Sequence, residues 1–68
     1  MDDQIYKTVQ ITGTSTESIE DAVEKAVDKS SETVRHLRWF EVMEVRGVIE
    51  DDHVSLWQVT TKLGFKLE

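Results

Sequence analysis

Three residues carry side chains suited to holding a flat, polar heterocycle: Trp39, Arg46 and Gln58. An indole offers a broad π face on which a planar ring can stack, worth about 1–3 kcal/mol per base in nucleic-acid examples. A glutamine amide offers N–H donors and a carbonyl acceptor, which suits a ring edge that presents carbonyl and N–H groups. An arginine can neutralise a phosphate or donate to a ring carbonyl. Each residue also has a plainer use. Trp39 could anchor a subunit interface, Arg46 could pair with one of the many carboxylates, and Gln58 could be a solvated strand residue.

Trp39 stands beside Phe40 in the segment RWFEVMEVRG, Arg38 to Gly47. Neighbouring side chains of a strand point to opposite faces. If Phe40 is core, Trp39 shares the outer face with Glu41. The apolar residues of this segment do not hold one phase. Phe40 and Val42 share a parity, whereas Met43, Val45 and Ile49 share the other. Two arrangements fit. A bulge near Met43 and Glu44 would put Phe40, Val42, Val45 and Ile49 all on the core side. Otherwise both faces are buried, one of them by a partner subunit.

The elements that must position these residues are legible from periodicity. Residues 5–12 alternate as a strand, and Gly13 is expected to end it. The stretch TGTSTES offers several caps. Thr14 and Glu17 have capping-box spacing and Ser15 is a rival, with nothing to choose between them. Residues 16–35 read as a helix, with Ile19, Ala22, Val23, Ala26, Val27 and Val34 on a 3.6-residue period. Ser30 interrupts that stripe with a small polar residue. Residues 37–49 form a long strand, Asp51 to His53 mark a turn, and residues 54–67 form a last strand. In that strand Trp57, Val59, Thr61, Leu63, Phe65 and Leu67 share the helix-facing side. Gln58, Thr60, Lys62, Gly64 and Lys66 share the outer side. The fold class is α+β: a β-α-β-β chain whose three-stranded antiparallel sheet, in spatial order 1-3-2, wraps one helix.

Size and charge narrow the function. The 68 residues make a single domain, 1–68. A domain this small buries only about 60% of the surface its unfolded chain exposes. With no cysteine and two histidines, neither disulfides nor a metal site are expected to supplement the core, which leaves self-association. The net charge of −6, without a basic stripe, argues against nucleic acid and anionic membranes as partners. The acidic N-terminus lacks the features of a signal peptide, so the expected location is the cytoplasm. No nucleophile–His–acid pattern and no glycine-rich phosphate loop is present. His36 near a helix end and His53 in a turn suit capping or solvated roles, so no enzyme and no catalytic residue is expected.

Gly13 to Ser18, Arg38 to Gly47 and the segment WQVTTKLGFKLE, Trp57 to Glu68, together make the chain resemble the dodecins, small flavin-binding proteins of bacteria and archaea. The likeness spans nearly the whole chain, and Arg46 places it nearer the bacterial subgroup. The resemblance implies a hollow homododecamer built from trimers, with flavins held in pairs at two-fold axes. It implies stacking on symmetry-related copies of Trp39, a hydrogen bond from Gln58 to the ring edge, and Arg46 at the flavin site. FMN is the implied ligand, since bacterial dodecins suit FMN, whereas archaeal ones favour riboflavin or lumichrome. Some bacterial members also bind coenzyme A, for which the sequence holds no local signature. The implied role is flavin storage, buffering and protection from light. Two rivals remain: a small flavin-dependent oxidoreductase, and a structural oligomer with an aromatic interface.

Overall fold

A computed structural model describes residues 3–68. The chain runs β1 (Tyr6–Ser15), α1 (Ile19–Ser31), β2 (Leu37–Glu50) and β3 (His53–Lys66). The strands form one antiparallel sheet in the order β1-β3-β2, with the long hairpin partner β3 at its centre. Asp51 and Asp52 close the hairpin, both at positive φ (50° and 64°), the backbone signs of a type I′ turn. Aspartate tolerates that region better than most residues because its short side chain can bond locally.

The helix is shorter than periodicity predicts, 19–31 rather than 16–35. Ser18 is its N-cap and accepts from the Asp21 backbone N–H at 3.0 Å. Neither Thr14 nor Ser15 takes that position. Ser15 is buried behind the cap instead. Its Oγ accepts from the Glu17 and Ser18 N–H groups and donates to Asp21 Oδ2 at 2.6 Å. That bond, first, and the Lys25 ammonium 2.9 Å away hold the Asp21 carboxyl below its ordinary pKa, while Lys25 is raised in turn. At the other end Glu32 turns the chain, and Val34 bonds back to the Ser30 carbonyl outside the regular helix.

Gly13 does not end β1. It lies inside the strand, opposite Val59, and the helix sits directly on it. A Cβ there would stand 2.2 Å from the Ala22 carbonyl oxygen and 3.0 Å from the Ala26 Cβ. The small residues of the helix stripe therefore meet a strand without a side chain, which brings the two backbones close. Around this contact Ala22, Val23, Ala26, Val59, Thr61 and Leu63 are buried.

The sheet is not wrapped evenly. The helix packs on β1 and β3 and stops short of β2. The bulge expected near Met43 is present: Val42 faces Thr61 and Glu44 faces Thr60, so Met43 is the extra residue. It puts Phe40, Val42 and Val45 on the helix side, opposite Leu63, Thr61 and Val59. Their burial, however, is not achieved within one chain. Phe40 is 53% exposed, and Ile49, expected in the core, is 71% exposed beyond a further shift in register between Val48 and Ile49. The chain measures 53 × 20 × 15 Å, with a radius of gyration of 14.1 Å. A compact domain of this length would have about 11 Å. Its accessible surface is 5242 Å², against about 4,400 Å² for a compact monomer of this mass.

Candidate functional site

Trp39 and Phe40 divide between the two faces of the sheet, as alternation requires. Phe40 is opposite Leu63 on the helix side, whereas Trp39 is opposite Gly64 on the outer side. Trp39 lies flat against the strand. A Cβ built on Gly64 would be 2.3, 2.3 and 2.4 Å from Cε2, Cζ2 and Cη2 of the indole. Near-equal distances to three consecutive ring atoms place that point over the face of the six-membered ring. The Tyr6 ring packs against the same indole, with centroids 5.0 Å apart and planes at 72°. This T-shaped arrangement is one that aromatic quadrupoles favour. With both contacts made, Trp39 is still 42% exposed. It is a fixed aromatic plate at one end of the outer sheet face.

Arg46 and Gln58 come together at the other end. They are directly opposite one another on β2 and β3, and so project from the same face. Thr14 flanks Gln58 from β1. Among the described residues Arg46 makes no ion pair, so its charge is not committed to a carboxylate of its own chain. Lys62 opposite Glu41 and Lys66 opposite Tyr6 add further cations to the outer face, despite the net charge of −6.

Trp39 and Gln58 are not neighbours within a single chain. The register puts Trp39 at Gly64 and Arg46 at Gln58, six residues apart along β3. At the rise of a strand that is roughly 20 Å, longer than a fused three-ring heterocycle. One chain thus presents an aromatic plate and an amide–guanidinium pair that lie too far apart to hold the same ring.

Gly64 and Tyr6 are the site residues that the sequence reading passed over. A glycine inside a strand is a signal of close approach by another group. The partner of that approach becomes visible only once β2 and β3 are in register. Among the described residues no cluster of three or more His, Asp or Glu side chains could hold a metal ion, and no helix is long and apolar enough to cross a membrane.

The small β-α-β-β unit with a half-covered sheet and an aromatic plate on its outer face defines a narrow class of proteins. The dodecin family profile matches residues 5–68, and the chain belongs to that family. It is 45% identical to the dodecin of Thermus thermophilus over 65 residues, covering 96% of this chain and 94% of that protein. The solved dodecin of Streptomyces coelicolor is 48% identical, with a TM-score of 0.92 over 100% of this chain and 97% of the other. The dodecin of Streptomyces davaonensis is 40% identical, with a TM-score of 0.92 over 98% of both chains.

Proposed function

We propose that this protein binds and stores a flavin, FMN foremost, in sites completed by a second copy of the chain. The observation that carries the reading is the separation of the plate from the amide–guanidinium pair. A ring stacked on Trp39 can reach an amide only if that amide comes from another subunit, because its own Gln58 lies about six strand residues away. Membership of the dodecin family supports both the ligand and the assembly. The uncovered side of β2 supports association independently, since Phe40, Val42 and Val45 gain burial only from a partner.

The donor set fits the ligand. The free surface of Trp39 suits the apolar body of the tricyclic ring. Gln58 can match ring carbonyl and N–H groups in either amide orientation. Arg46 and the outer-face lysines suit the phosphate that distinguishes FMN from riboflavin. Trp39 would also protect the ligand, since an electron-rich indole stacked on a flavin would quench it by reversible photoinduced electron transfer. Binding without turnover is the role that membership of the dodecin family supports.

The test is to release the co-purified ligand by heat and identify it by chromatography and mass. FMN is the expected result, and a reproducible ligand without a flavin ring overturns the reading. Steady consumption of a reductant by the flavin-loaded protein would favour an oxidoreductase instead.

A further inference from the structure

We propose that Gly64 and Tyr6 are positioning residues that set the depth and tilt of the Trp39 plate. The inference rests on Trp39 being the stacking surface, and it assigns that surface a built support. No glycine of the chain has a positive φ, so Gly64 is not needed for its backbone freedom. Alanine could adopt the same conformation. What alanine could not do is share the space, because its Cβ would stand 2.3 Å from the indole ring. Ordinary contact begins at 3.4 Å, so the ring would have to retreat by about 1 Å.

The obstacle at Gly64 differs in kind from the one at Gly13. A side chain at Gly13 meets helix backbone, so the fold itself must give. At Gly64 the three nearest atoms all belong to the Trp39 ring, so the first cost falls on the plate. Gly64 is buried although it lies on the outer face, because the indole covers it. Tyr6 adds a wall from β1, so Trp39 of β2 lies across β3 and touches a ring on the far strand. One aromatic thereby spans all three strands, and a plate held in this way is closed on its strand side. A ligand ring can stack only on the side turned away from the strand. Rotamer freedom that would otherwise be lost on binding is already lost in the free protein.

The test uses the full chain in its native assembly, in a Trp57→Phe background so that tryptophan emission reports Trp39 alone. Gly64→Ala should shift that emission to longer wavelength without flavin present. It should also weaken FMN binding about tenfold, the effect of a ring displaced by about 1 Å from its seat. Tyr6→Ala adds no atom to the core and guards against a misfolded Gly64 variant. It should give the same red shift with a smaller loss of affinity, and Tyr6→Phe should restore both. Thr60→Ala, on the same sheet face, should change neither. Unchanged emission and unchanged FMN affinity in Gly64→Ala and Tyr6→Ala overturn the proposal. If the unmodified protein leaves FMN fluorescence untouched, the flavin reading fails on its own, and the emission comparison, made without flavin, still decides the role of Gly64 and Tyr6.

Discussion

The two edges of the sheet are built for different neighbours. β1 lies under the helix, and the contact is so close that Gly13 has no room for a methyl group against the Ala22 carbonyl. β2 is longer, paired only to β3, and exposed along nearly its whole length. Yet β2 is rich in the residues that usually fill a core, among them Phe40, Val42, Val45 and Ile49. The contrast teaches that the chain is half of a packing problem. The β1–α1–β3 portion is closed by its own residues. The β2 edge is left open by one chain, and in the proposed function another copy closes it, with the ligand sites where that edge turns its outer face.

Substitutions that separate the two edges give the sharpest tests. Phe40→Ala should cost the assembly about 3–5 kcal/mol per site, the usual loss for a buried phenylalanine, although Phe40 is exposed in one chain. Analytical ultracentrifugation should show smaller species. A fully assembled variant of unchanged thermal stability would mean that no partner covers β2. Leu63→Ala acts on the closed side, where the side chain is 1% exposed, and should lower unfolding free energy by about 2–5 kcal/mol in chemical denaturation. Trp39→Ala should leave the fold intact and weaken FMN by about 1–3 kcal/mol, with fluorescence restored in whatever flavin still binds.

Smaller effects are expected around the helix start. Ser18→Ala removes the N-cap and should cost about 1 kcal/mol, without change in flavin affinity. Asp21 adds a pH signature. Its folded pKa is lowered, chiefly by the Ser15 hydrogen bond, so its contribution is present above the ordinary carboxylate pKa and fades as pH falls through the lowered value. Melting temperature should therefore fall below about pH 4, and the fall should be shallower in Asp21→Asn. An identical acid profile in both proteins would remove Asp21 from the account.

Most of the fold could be read from the alternation of β3, because Val59, Thr61 and Leu63 mark one face without interruption. The phase break at Met43 was equally informative, since a single extra residue is a local event with a local signature. The reach of the helix was not legible. Periodicity tells which side of β2 faces inward, but not whether anything lies there. Gly13 was misread for a related reason: a glycine marks a turn or a close approach, and only packing distinguishes the two. The helix start was blurred by five hydroxyl residues among the seven from Thr12 to Ser18, any of which can cap. Trp39 and Gln58 could be proposed from residue type and strand parity, whereas Arg46 was implied by the family resemblance and reaches the outer face only because the bulge at Met43 shifts the phase. Their distribution over the two ends of that face depends on the β2–β3 register, which emerges only after the bulges are counted.

The central claim is that Trp39 is a plate with one open side, used in a site that a second subunit completes. The most direct measurement is a titration of ligand-free assembled protein into FMN, followed by flavin fluorescence. The account predicts strong quenching that saturates at one flavin per chain, and its loss in Trp39→Ala. Fluorescence that is unchanged by the protein, or quenched equally by the Trp39→Ala variant, would contradict it.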